Sequence, residues 1–250
     1  MPIEPPLPRW ALPDRSDLLG LPPGEEFVAV GADLSPGMLL AGYRSGLFAM
    51  PDRAVPGWWC PDPRGVLLPA AMHVSRSLRR ALGSYEVSVD AAFDAVLTQC
   101  ADPGRPHGWI STEYERSYRV LHGLGWAHSV EVWAADGTLA GGMFGVEVGG
   151  LFAAESKFHA RTDASKVAVV ALAALLGGDG DSRRIIDVQW CTEHLATLGA
   201  GPVPRELYLR ALPAALACPP VLCERSDRDL GQLGPPGAAA FPAASRIRWR

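Results

Sequence analysis

The 250-residue chain has little lysine, little cysteine and no excess of positive charge. Only two of its 23 basic residues are lysines, Lys157 and Lys166, and the formal net charge is −4. A chain of this charge lacks a general basic coat for nucleic acid, so any contact with phosphate must come from a local patch. The five cysteines have no metal-ligand spacing and are odd in number, which predicts free thiols in a reducing compartment.

Long apolar runs are also missing. No segment approaches the roughly 18 apolar residues that a membrane-spanning helix needs, and the proline-rich residues 1–26 have no signal-peptide pattern. These absences predict a soluble, cytoplasmic protein. The hydrophobic content of 48% is enough for one substantial core, or for one core and a small appended lobe.

The most informative stretch is the largely apolar segment from Arg183 to Trp190, which contains Asp187 and Gln189 two residues apart. A short apolar run predicts a buried strand, and the period of two places both polar side chains on one face. An unpaired buried carboxylate costs several kcal/mol, on the order of what one domain can spare. This face must therefore meet either a structural partner, which is the commoner case, or a polar substrate.

A second strand and a helix precede this segment. Residues 149–158, which include Glu155, predict a strand that runs into a loop, and Thr162-Asp163 is typical of the cap of a helix over 164–176. A right-handed crossover lays the two strands side by side in the same direction. Glu155 and Asp187 should then lie near one edge of a sheet, an arrangement typical of substrate clefts in open α/β sheets.

The rest of the chain predicts further strands and helices. Before the central stretch we expect a helix capped by Ser35-Pro36, a helix over 75–80, a strand over 85–89, a helix capped by Asp90, a helix opened by the capping box of Thr112 and Glu115, and a hairpin over 127–148. After it we expect a helix over 192–198 and a helix from Pro204 to about Leu212. We divide the chain into a small N-terminal lobe (1–63), a main domain (64–212) and a mobile tail (213–250).

The helix over 75–80 carries Arg76 and Arg80 one turn apart. Their like charges repel unless an anion lies between them. An ordinary solvated surface helix is the commoner case for such a pair, and a local anion-binding patch is the alternative.

The order of elements from residue 85 onward is strand, helix, helix, three strands, helix, strand and helix, which predicts an α/β (α+β) fold with a mixed sheet. This order is similar to the N-acyltransferase (GNAT-like) superfamily, in which the sheet splits at its middle to admit an acyl donor. Ordinary members of that superfamily hold the coenzyme A pyrophosphate on a glycine-rich turn that opens the crossover helix. Here the corresponding residues 158–164 contain no glycine and place Asp163 at the cap, so coenzyme A is a poor fit.

Several longer motifs follow one another along residues 20–212. They are Trp58-Trp59-Cys60-Pro61-Asp62-Pro63-Arg64, His73-Val74-Ser75-Arg76-Ser77-Leu78-Arg79-Arg80, Ala127-His128-Ser129-Val130-Glu131-Val132-Trp133, Glu155-Ser156-Lys157-Phe158, Asp163-Ala164-Ser165-Lys166, and Asp187-Val188-Gln189 through His194-Leu195 to Leu198-Gly199-Ala200. Together they resemble the leucyl/phenylalanyl-tRNA–protein transferase family. The resemblance implies an aminoacyltransferase that moves leucine or phenylalanine, with methionine as a further donor, from aminoacyl-tRNA onto proteins that begin with arginine or lysine. It implies a GNAT-like transferase domain, a degradation signal as the product, and neither a metal nor a coenzyme.

For the reaction, the resemblance implies that Asp187 orients or deprotonates the attacking α-amine and that Gln189 completes the hydrogen-bond relay around the ester. Glu155 then supplies negative charge for the basic side chain of the acceptor. Because an aminoacyl ester is already activated, the reaction needs chiefly positioning, which can supply ~7–11 kcal/mol of the barrier.

For binding of the donor side chain, the resemblance implies an apolar pocket lined by Met143, Phe152 and Ile186. Lys157 stands beside this pocket where the family has a methionine, and its aliphatic stem is expected to narrow the mouth.

For the tRNA, the resemblance implies that Trp109 and Tyr43 stack near the terminal adenosine and that Tyr118 borders that site. Arg76 and Arg80 are then expected to meet phosphates of the acceptor stem, which explains why their mutual repulsion is tolerated.

Two other functions stay open at this point. One is a coenzyme A-dependent N-acyltransferase on the same sheet, and the other is a non-catalytic module that binds RNA or a degradation signal. The absent glycine turn counts against the first, and the retained Asp187-Val188-Gln189 counts against the second.

Overall fold

A computed structural model describes residues 1–53, 55–105, 108–223 and 248–249. The strands are β1 (Phe27–Val30), β2 (Phe48–Asp52), β3 (Val55–Trp59), β4 (Arg64–Leu67), β5 (Glu86–Val89), β6 (Ala127–Trp133), β7 (Leu139–Val148), β8 (Leu151–His159), β9 (Ile185–Gln189), β10 (Gly201–Val203) and β11 (Arg248–Trp249). The α-helices are α1 (Arg15–Leu19), α2 (Pro36–Ser45), α3 (Arg76–Ala81), α4 (Phe93–Cys100), α5 (Thr112–Gly123), α6 (Ala164–Leu176), α7 (Glu193–Ala196) and α8 (Arg205–Leu216).

The strands form one large mixed sheet and one small sheet. Within the described residues the large sheet has the order β10-β4-β9-β8-β7-β6-β5-β11, and the small one has the order β1-β3-β2. In the large sheet β8 pairs in parallel with β9 and β5 with β11, whereas the other neighbours are antiparallel. The predicted α/β fold with a mixed sheet is therefore confirmed, as is the crossover through α6 that makes β8 and β9 parallel neighbours.

Helix α6 covers one face of the large sheet. All of its residues except Lys166 are buried, and a helix that is apolar on nearly every side belongs in the interior. Glycine at position 141 of β7 lets the helix start lie directly on the strand, because a Cβ there would come within 2.7 Å of the Ala164 Cβ. Each fully buried leucine or valine of α6 contributes about 1.5–3 kcal/mol, so this helix is a main source of stability.

The opposite face of the sheet carries α2, α4, α5 and α8, whose apolar side chains pack around Tyr118 and Phe144 in a second core. None of the helices in the described part of the chain is long and apolar enough to cross a membrane.

The large sheet opens between β8 and β9. These strands pair only over three positions, which end at Ala153 opposite Asp187, although β8 continues to His159. Just beyond that point β8 bulges, because Ala154 and Ser156 pair with consecutive residues of β7 and leave Glu155 as an extra residue. A bulge of this kind re-aims a side chain and interrupts pairing. The opening and the bulge together place Glu155 beside the end of β9.

Two predicted helix caps are wrong. Asp90 does not cap α4, which begins three residues later after Ala92; the Asp90 carboxylate instead accepts from the Ser129 N–H at 2.8 Å and contacts the His128 ring. Thr112 is already the first residue of α5, and the N-cap, Ser111, makes no side-chain bond. Local sequence patterns predicted both helices correctly. Asp90 does not cap α4 because its carboxylate contacts β6 instead.

The last helix is longer than predicted. Helix α8 was expected to end near Leu212, but it continues through Pro213 to Leu216. Beyond it, the N–H groups of Val221, Leu222 and Cys223 donate to the buried Glu147 carboxylate, and Leu222 is 1% exposed. Residues 213–223 thus pack on the core and are not a mobile tail, while residues 224–247 of that predicted tail lie outside the described residues. The division into an N-terminal lobe and a main domain stays a prediction.

Candidate active site

A cavity of about 200 Å³ lies where β8 and β9 separate. Its apolar wall is formed by Met143, Ala154, Val169, Ile186, Val188 and Leu195. Its more polar wall is formed by Glu155, Ser156, Lys157, Gln189, Trp190 and Thr192. The opening of the sheet therefore brings the two predicted polar strand ends to one cavity with an apolar floor.

The predicted pocket residues divide into two groups. Met143, Ile186 and Lys157 line the cavity. Phe152 does not reach it: the ring is fully buried, in register with Ile186, within the core beneath the cavity. Burial lowers the pKa of Lys157, and the nearby Arg105 lowers it further. Lys157 therefore brings a partly desolvated ammonium to the cavity wall where an apolar methionine was expected.

The carboxylate of Asp187 is held by four donors. Arg64 donates from Nε to Oδ1 at 2.8 Å and from Nη2 to Oδ2 at 2.6 Å, and the Tyr208 hydroxyl donates to Oδ2 at 2.8 Å. The fourth donor is the backbone N–H of Gln189, which reaches Oδ1 at 3.0 Å. Asp187 and Arg64 are each 1% exposed. The structural partner that a buried carboxylate requires is therefore Arg64.

This arrangement bears on the role predicted for Asp187. A base must accept a proton from the substrate, yet both carboxylate oxygens already accept hydrogen bonds and Asp187 does not line the cavity. Of the two roles inferred from the resemblance, orientation fits the geometry and direct deprotonation of the amine does not.

Gln189 is the polar group that Asp187 orients. Its backbone lies in the left-handed region at φ 57°, which a non-glycine residue adopts at a cost of about 1–2 kcal/mol. Its side chain lines the cavity, and the buried Nε2 has no hydrogen-bond partner within the part of the chain that the structure describes. A buried amide donor without a partner is costly, and strain at such a residue is typical of sites where a ligand completes the contacts.

Glu155 also lines the cavity, and its carboxyl group lies between two tyrosines. The Tyr43 hydroxyl donates to Oε1 at 2.9 Å and the Tyr118 hydroxyl donates to Oε2 at 2.7 Å. Burial raises the pKa of Glu155 to about 7, and these two donors oppose the rise. Asp187 raises it further, so the two carboxylates that the sequence placed at one sheet edge do influence each other. The pKa of Glu155 therefore lies near neutral pH, well above its ordinary value.

The three aromatic residues predicted to lie near an adenosine are brought together. The Trp109 ring makes edge contacts with Tyr114 and Tyr118, at centroid distances of 5.2 and 6.5 Å. Tyr43 and Tyr118 are 2% and 0% exposed, so neither ring offers a free face for stacking. Their hydroxyls donate to Glu155 instead. Of these three aromatic residues, Trp109 is the one whose ring is partly exposed and accessible to a nucleotide base.

Helix α3 presents its arginines to solvent. The Ser75 hydroxyl caps the helix by accepting from the Leu78 N–H, and Leu78 anchors it in the core. Arg76 and Arg80 are exposed, and neither side chain forms a hydrogen bond or ion pair with any described residue. Both side chains are thus accessible to an anion, and their contact with phosphate stays a prediction.

Sequence reasoning missed Arg64 and Tyr208. The need for a partner of Asp187 was evident, but nothing local selects one arginine among so many when it lies 123 residues away along the chain. The feature that could have identified Arg64 is its position as the last residue of the motif that begins at Trp58, where β4 starts. Tyr208 carried no signal, because its spacing on α8 is that of an ordinary core residue.

An α/β fold whose sheet opens between parallel strands onto a cavity with a half-buried glutamate and an unpartnered amide defines an enzyme with a substrate cleft at its strand ends. Comparison with known proteins identifies the particular family. Residues 66–213 match the family model of leucyl/phenylalanyl-tRNA protein transferase, and residues 32–62 match the model of the N-terminal domain of the same transferase. The chain belongs to this family, and the resemblance drawn from the sequence motifs is confirmed.

Curated relatives agree with this assignment. A leucyl/phenylalanyl-tRNA–protein transferase of Oleidesulfovibrio alaskensis is 47% identical over 205 residues, which cover 78% of this chain and 82% of the relative. The one from Aromatoleum aromaticum is 49% identical over 190 residues, with 74% and 79% covered. The one from Anaeromyxobacter sp. (strain K) is 44% identical over 242 residues, with 94% and 97% covered.

Proposed function

We propose that this chain transfers leucine or phenylalanine from aminoacyl-tRNA to the N-terminal arginine or lysine of acceptor proteins, forming a peptide bond and creating a degradation signal. The observation that carries the proposal is the cavity that brings the unpartnered amide of Gln189 and the half-buried carboxyl group of Glu155 to one space. Family membership supplies the reaction class, and the cavity supplies a place for the two substrates to meet. A location in the cytoplasm, where charged tRNA is made, belongs to the same proposal.

In the reaction, the α-amine nitrogen of the acceptor attacks the ester carbonyl carbon of the aminoacyl-tRNA. The new C–N bond forms, the C–O bond to the terminal ribose breaks, and the ribose oxygen leaves with the proton that the amine gives up. Negative charge develops on the carbonyl oxygen meanwhile, and the free Nε2 donor of Gln189 is suited to stabilise it. Arg64 and Tyr208 act through Asp187 as positioning residues, because together they fix the backbone of Gln189.

The two substrates use different walls in this proposal. The apolar floor formed by Met143 and Ile186 takes the donor side chain, and Glu155 faces the basic side chain of the acceptor. Trp109 contacts the terminal adenosine, while Arg76 and Arg80 contact phosphates of the acceptor stem. The −4 net charge of the chain is compatible with this arrangement, since only a local patch is needed.

The finer fold assignment is also a proposal. A parallel strand pair that separates after three positions, a crossover helix between the two strands, and a bulge at the opening support a GNAT-like sheet with an aminoacyl ester in place of an acyl-coenzyme A. The glycine-free turn before α6 argues against coenzyme A, because side chains there keep a pyrophosphate from the backbone.

The direct test is transfer of labelled leucine or phenylalanine from charged tRNA to a peptide that begins with arginine. We expect label in the peptide with both donors. A peptide with an acetylated N-terminus controls for the attacking amine, and one that begins with glycine controls for the basic side chain. Equal labelling of the arginine and glycine peptides would contradict the proposed acceptor preference, and no labelling from either donor would contradict the proposed function.

The elevated pKa of Glu155 predicts how recognition of the acceptor depends on pH. With a pKa of about 7, the ionised fraction of Glu155 rises about tenfold between pH 6 and pH 8. We expect kcat/KM for an arginine-first peptide to rise by about that factor relative to a citrulline-first peptide, whose α-amine titrates similarly but whose side chain is neutral. The measurement is the ratio of the two kcat/KM values across this pH range.

The variant Glu155→Gln supplies the control for this prediction. It keeps an acceptor for the two tyrosine hydroxyls but carries no charge, so the ratio should be low and independent of pH. A ratio that still rises with pH in Glu155→Gln would show that another group recognises the basic side chain.

A further inference from the structure

A polar groove of about 560 Å³ adjoins the cavity at the start of α6. It is lined by His159, Arg161, Asp163, Ser165, Lys166 and His194, together with two small residues of the turn. Two elements connect the cavity to the groove. On β8, Lys157 lines the cavity and His159, two residues later, lines the groove; at the start of α7, Thr192 lines the cavity and His194 lines the groove. A ligand that leaves the cavity on this side must therefore enter the groove.

The start of α6 offers hydrogen-bond donors that no described residue uses. Asp163 occupies the N-cap position, but its backbone is left-handed and its carboxylate accepts from Lys166 Nζ at 2.9 Å instead of capping the helix. The N–H groups of Ser165 and Lys166 accordingly have no acceptor among the described residues. The Ser165 hydroxyl also lacks a partner there, although Ser165 is only 5% exposed and lines the groove.

Two cations, Arg161 and Lys166, line the groove with one acid, Asp163, which forms an ion pair with Lys166 at 2.9 Å. Burial lowers the pKa of His194, and the positive groups of Lys157, Lys166 and His159 lower it further, against Asp163 alone in the opposite direction. Arg161 is paired with Asp136 at 2.6 Å and contributes less. Unused N–H groups at the start of a 13-residue helix, the hydroxyl of the largely buried Ser165 and neighbouring cations are the kinds of group that bind phosphate in proteins.

The groove also lies on the path to α3. The Tyr85 hydroxyl, four residues after the end of α3, donates to the Thr162 carbonyl oxygen in the turn that borders the groove. Helix α3 also contacts α6, whose first residues line the groove. The groove therefore lies between the cavity, which it adjoins, and the segment that follows α3.

We propose that this groove binds a phosphodiester of the 3′-terminal single strand of the aminoacyl-tRNA, with the Ser165 hydroxyl, the Lys166 ammonium group and the His194 ring as its side-chain contacts. The inference rests on the proposed function, and it adds a second phosphate contact between the reacting ester and α3. A single phosphodiester fits the glycine-free turn, because the side chains of His159 and Arg161 prevent the close backbone approach that a pyrophosphate requires.

The test uses Lys166→Gln and His194→Gln in the full chain, with Arg183→Gln as the matched control. Arg183 is an exposed cation at the other end of β9, so its removal changes the net charge equally but leaves the groove intact. Binding of deacylated tRNA is measured at several salt concentrations between about 50 and 200 mM, a range over which phosphate contacts change the affinity strongly. Lys166→Gln is expected to weaken binding about tenfold and to reduce the salt slope by about 0.7, the value for one phosphate of a single strand.

Transfer from two donors then separates phosphate binding from effects on the cavity. With leucyl-tRNA, kcat/KM of Lys166→Gln should fall about tenfold; with 3′-O-leucyladenosine, which has no phosphate, it should stay at the wild-type value. Equal losses with both donors would place Lys166 at the cavity, and an unchanged tRNA affinity in both groove variants would overturn the site. Lys166-dependent binding of coenzyme A that is tighter than tRNA binding would also overturn it, because the phosphate would then come from coenzyme A.

Failure of this inference can be distinguished from failure of the proposed function. Binding of deacylated tRNA needs no transfer, so a groove that binds tRNA without any leucine transfer would retain the phosphate site and remove the reaction. His194→Gln provides the second variant, because the exposed His194 contributes little to folding. Thermal unfolding of each variant checks that the fold is intact.

Discussion

Arg64→Met is expected to destabilise the fold by about 3–5 kcal/mol and to lower transfer by at least about 100-fold, although Arg64 does not line the cavity. The substitution leaves the Asp187 carboxylate buried without its ion-pair partner, and that uncompensated charge accounts for the loss of stability. It also removes the hydrogen bond from Arg64 Nη1 to the Gly46 carbonyl oxygen, which joins the end of α2 to β4. The loss of transfer follows because Asp187 then no longer fixes the backbone of Gln189.

The stability of the variant is measured by urea denaturation and its transfer at a temperature where it is folded. Arg184→Met is the matched control: Arg184 is also 1% exposed, but it pairs with the half-exposed Asp179 at the other end of β9. Water can solvate Asp179 once its partner is gone, so we expect a smaller loss of about 1–3 kcal/mol and wild-type kcat. If transfer by Arg64→Met fell no further than transfer by Arg184→Met, Arg64 would contribute to stability alone.

A double substitution separates the two effects of Arg64. Arg64→Met combined with Asp187→Leu removes both charges and fills the space with apolar groups. The free energy of unfolding should then be about 1–4 kcal/mol higher than that of Arg64→Met alone. Transfer should remain lost, because no carboxylate is left to hold the N–H of Gln189. Recovery of stability without recovery of transfer would identify Arg64 and Asp187 as positioning residues.

The parts of the fold that the sequence predicts well are those decided by local pattern. The apolar run before Gln189, the nearly all-apolar α6 and the Asp-Gly turn between β6 and β7 identified their elements without any long-range information. The predicted caps at Asp90 and Thr112 failed because a capping pattern is weak, and a single tertiary contact such as that of Asp90 with β6 outweighs it.

Local pattern also predicts part of the candidate site, namely the approach of its two carboxylates. Strand period and crossover direction were enough to bring Glu155 and Asp187 to one edge of the sheet. They could not reveal that Glu155 stands on a bulge, because a bulge is a mismatch in register between two strands and leaves no local pattern. The same limit applies to Tyr43, which the resemblance placed against the terminal adenosine but whose hydroxyl donates to Glu155, 112 residues away along the chain.

Gln189→Gly is expected to lower kcat about 10²–10³-fold while leaving stability within about 1 kcal/mol of the wild type. The loss of kcat follows from removal of a donor that acts on the developing charge, and tRNA binding should not change, because Gln189 has no contact with the phosphate path. Stability should hold because two unfavourable features disappear with the side chain: the left-handed backbone at φ 57° and the buried Nε2 without a partner. The lost packing of the side chain offsets part of this gain.

Comparison with Gln189→Ala isolates the backbone contribution. Alanine removes the same amide but keeps a Cβ in the left-handed region, so Gln189→Ala should be about 1 kcal/mol less stable than Gln189→Gly and equally impaired in kcat. Arg53→Gly is the reference for relief of such a backbone conformation away from the cavity, since Arg53 is exposed at φ 56°. If both Gln189 variants lost stability and kcat together, the side chain would be a structural element and not the group that acts on the ester. If stability holds while kcat falls, then the left-handed backbone is retained at this position because it aims a donor that only the substrate satisfies.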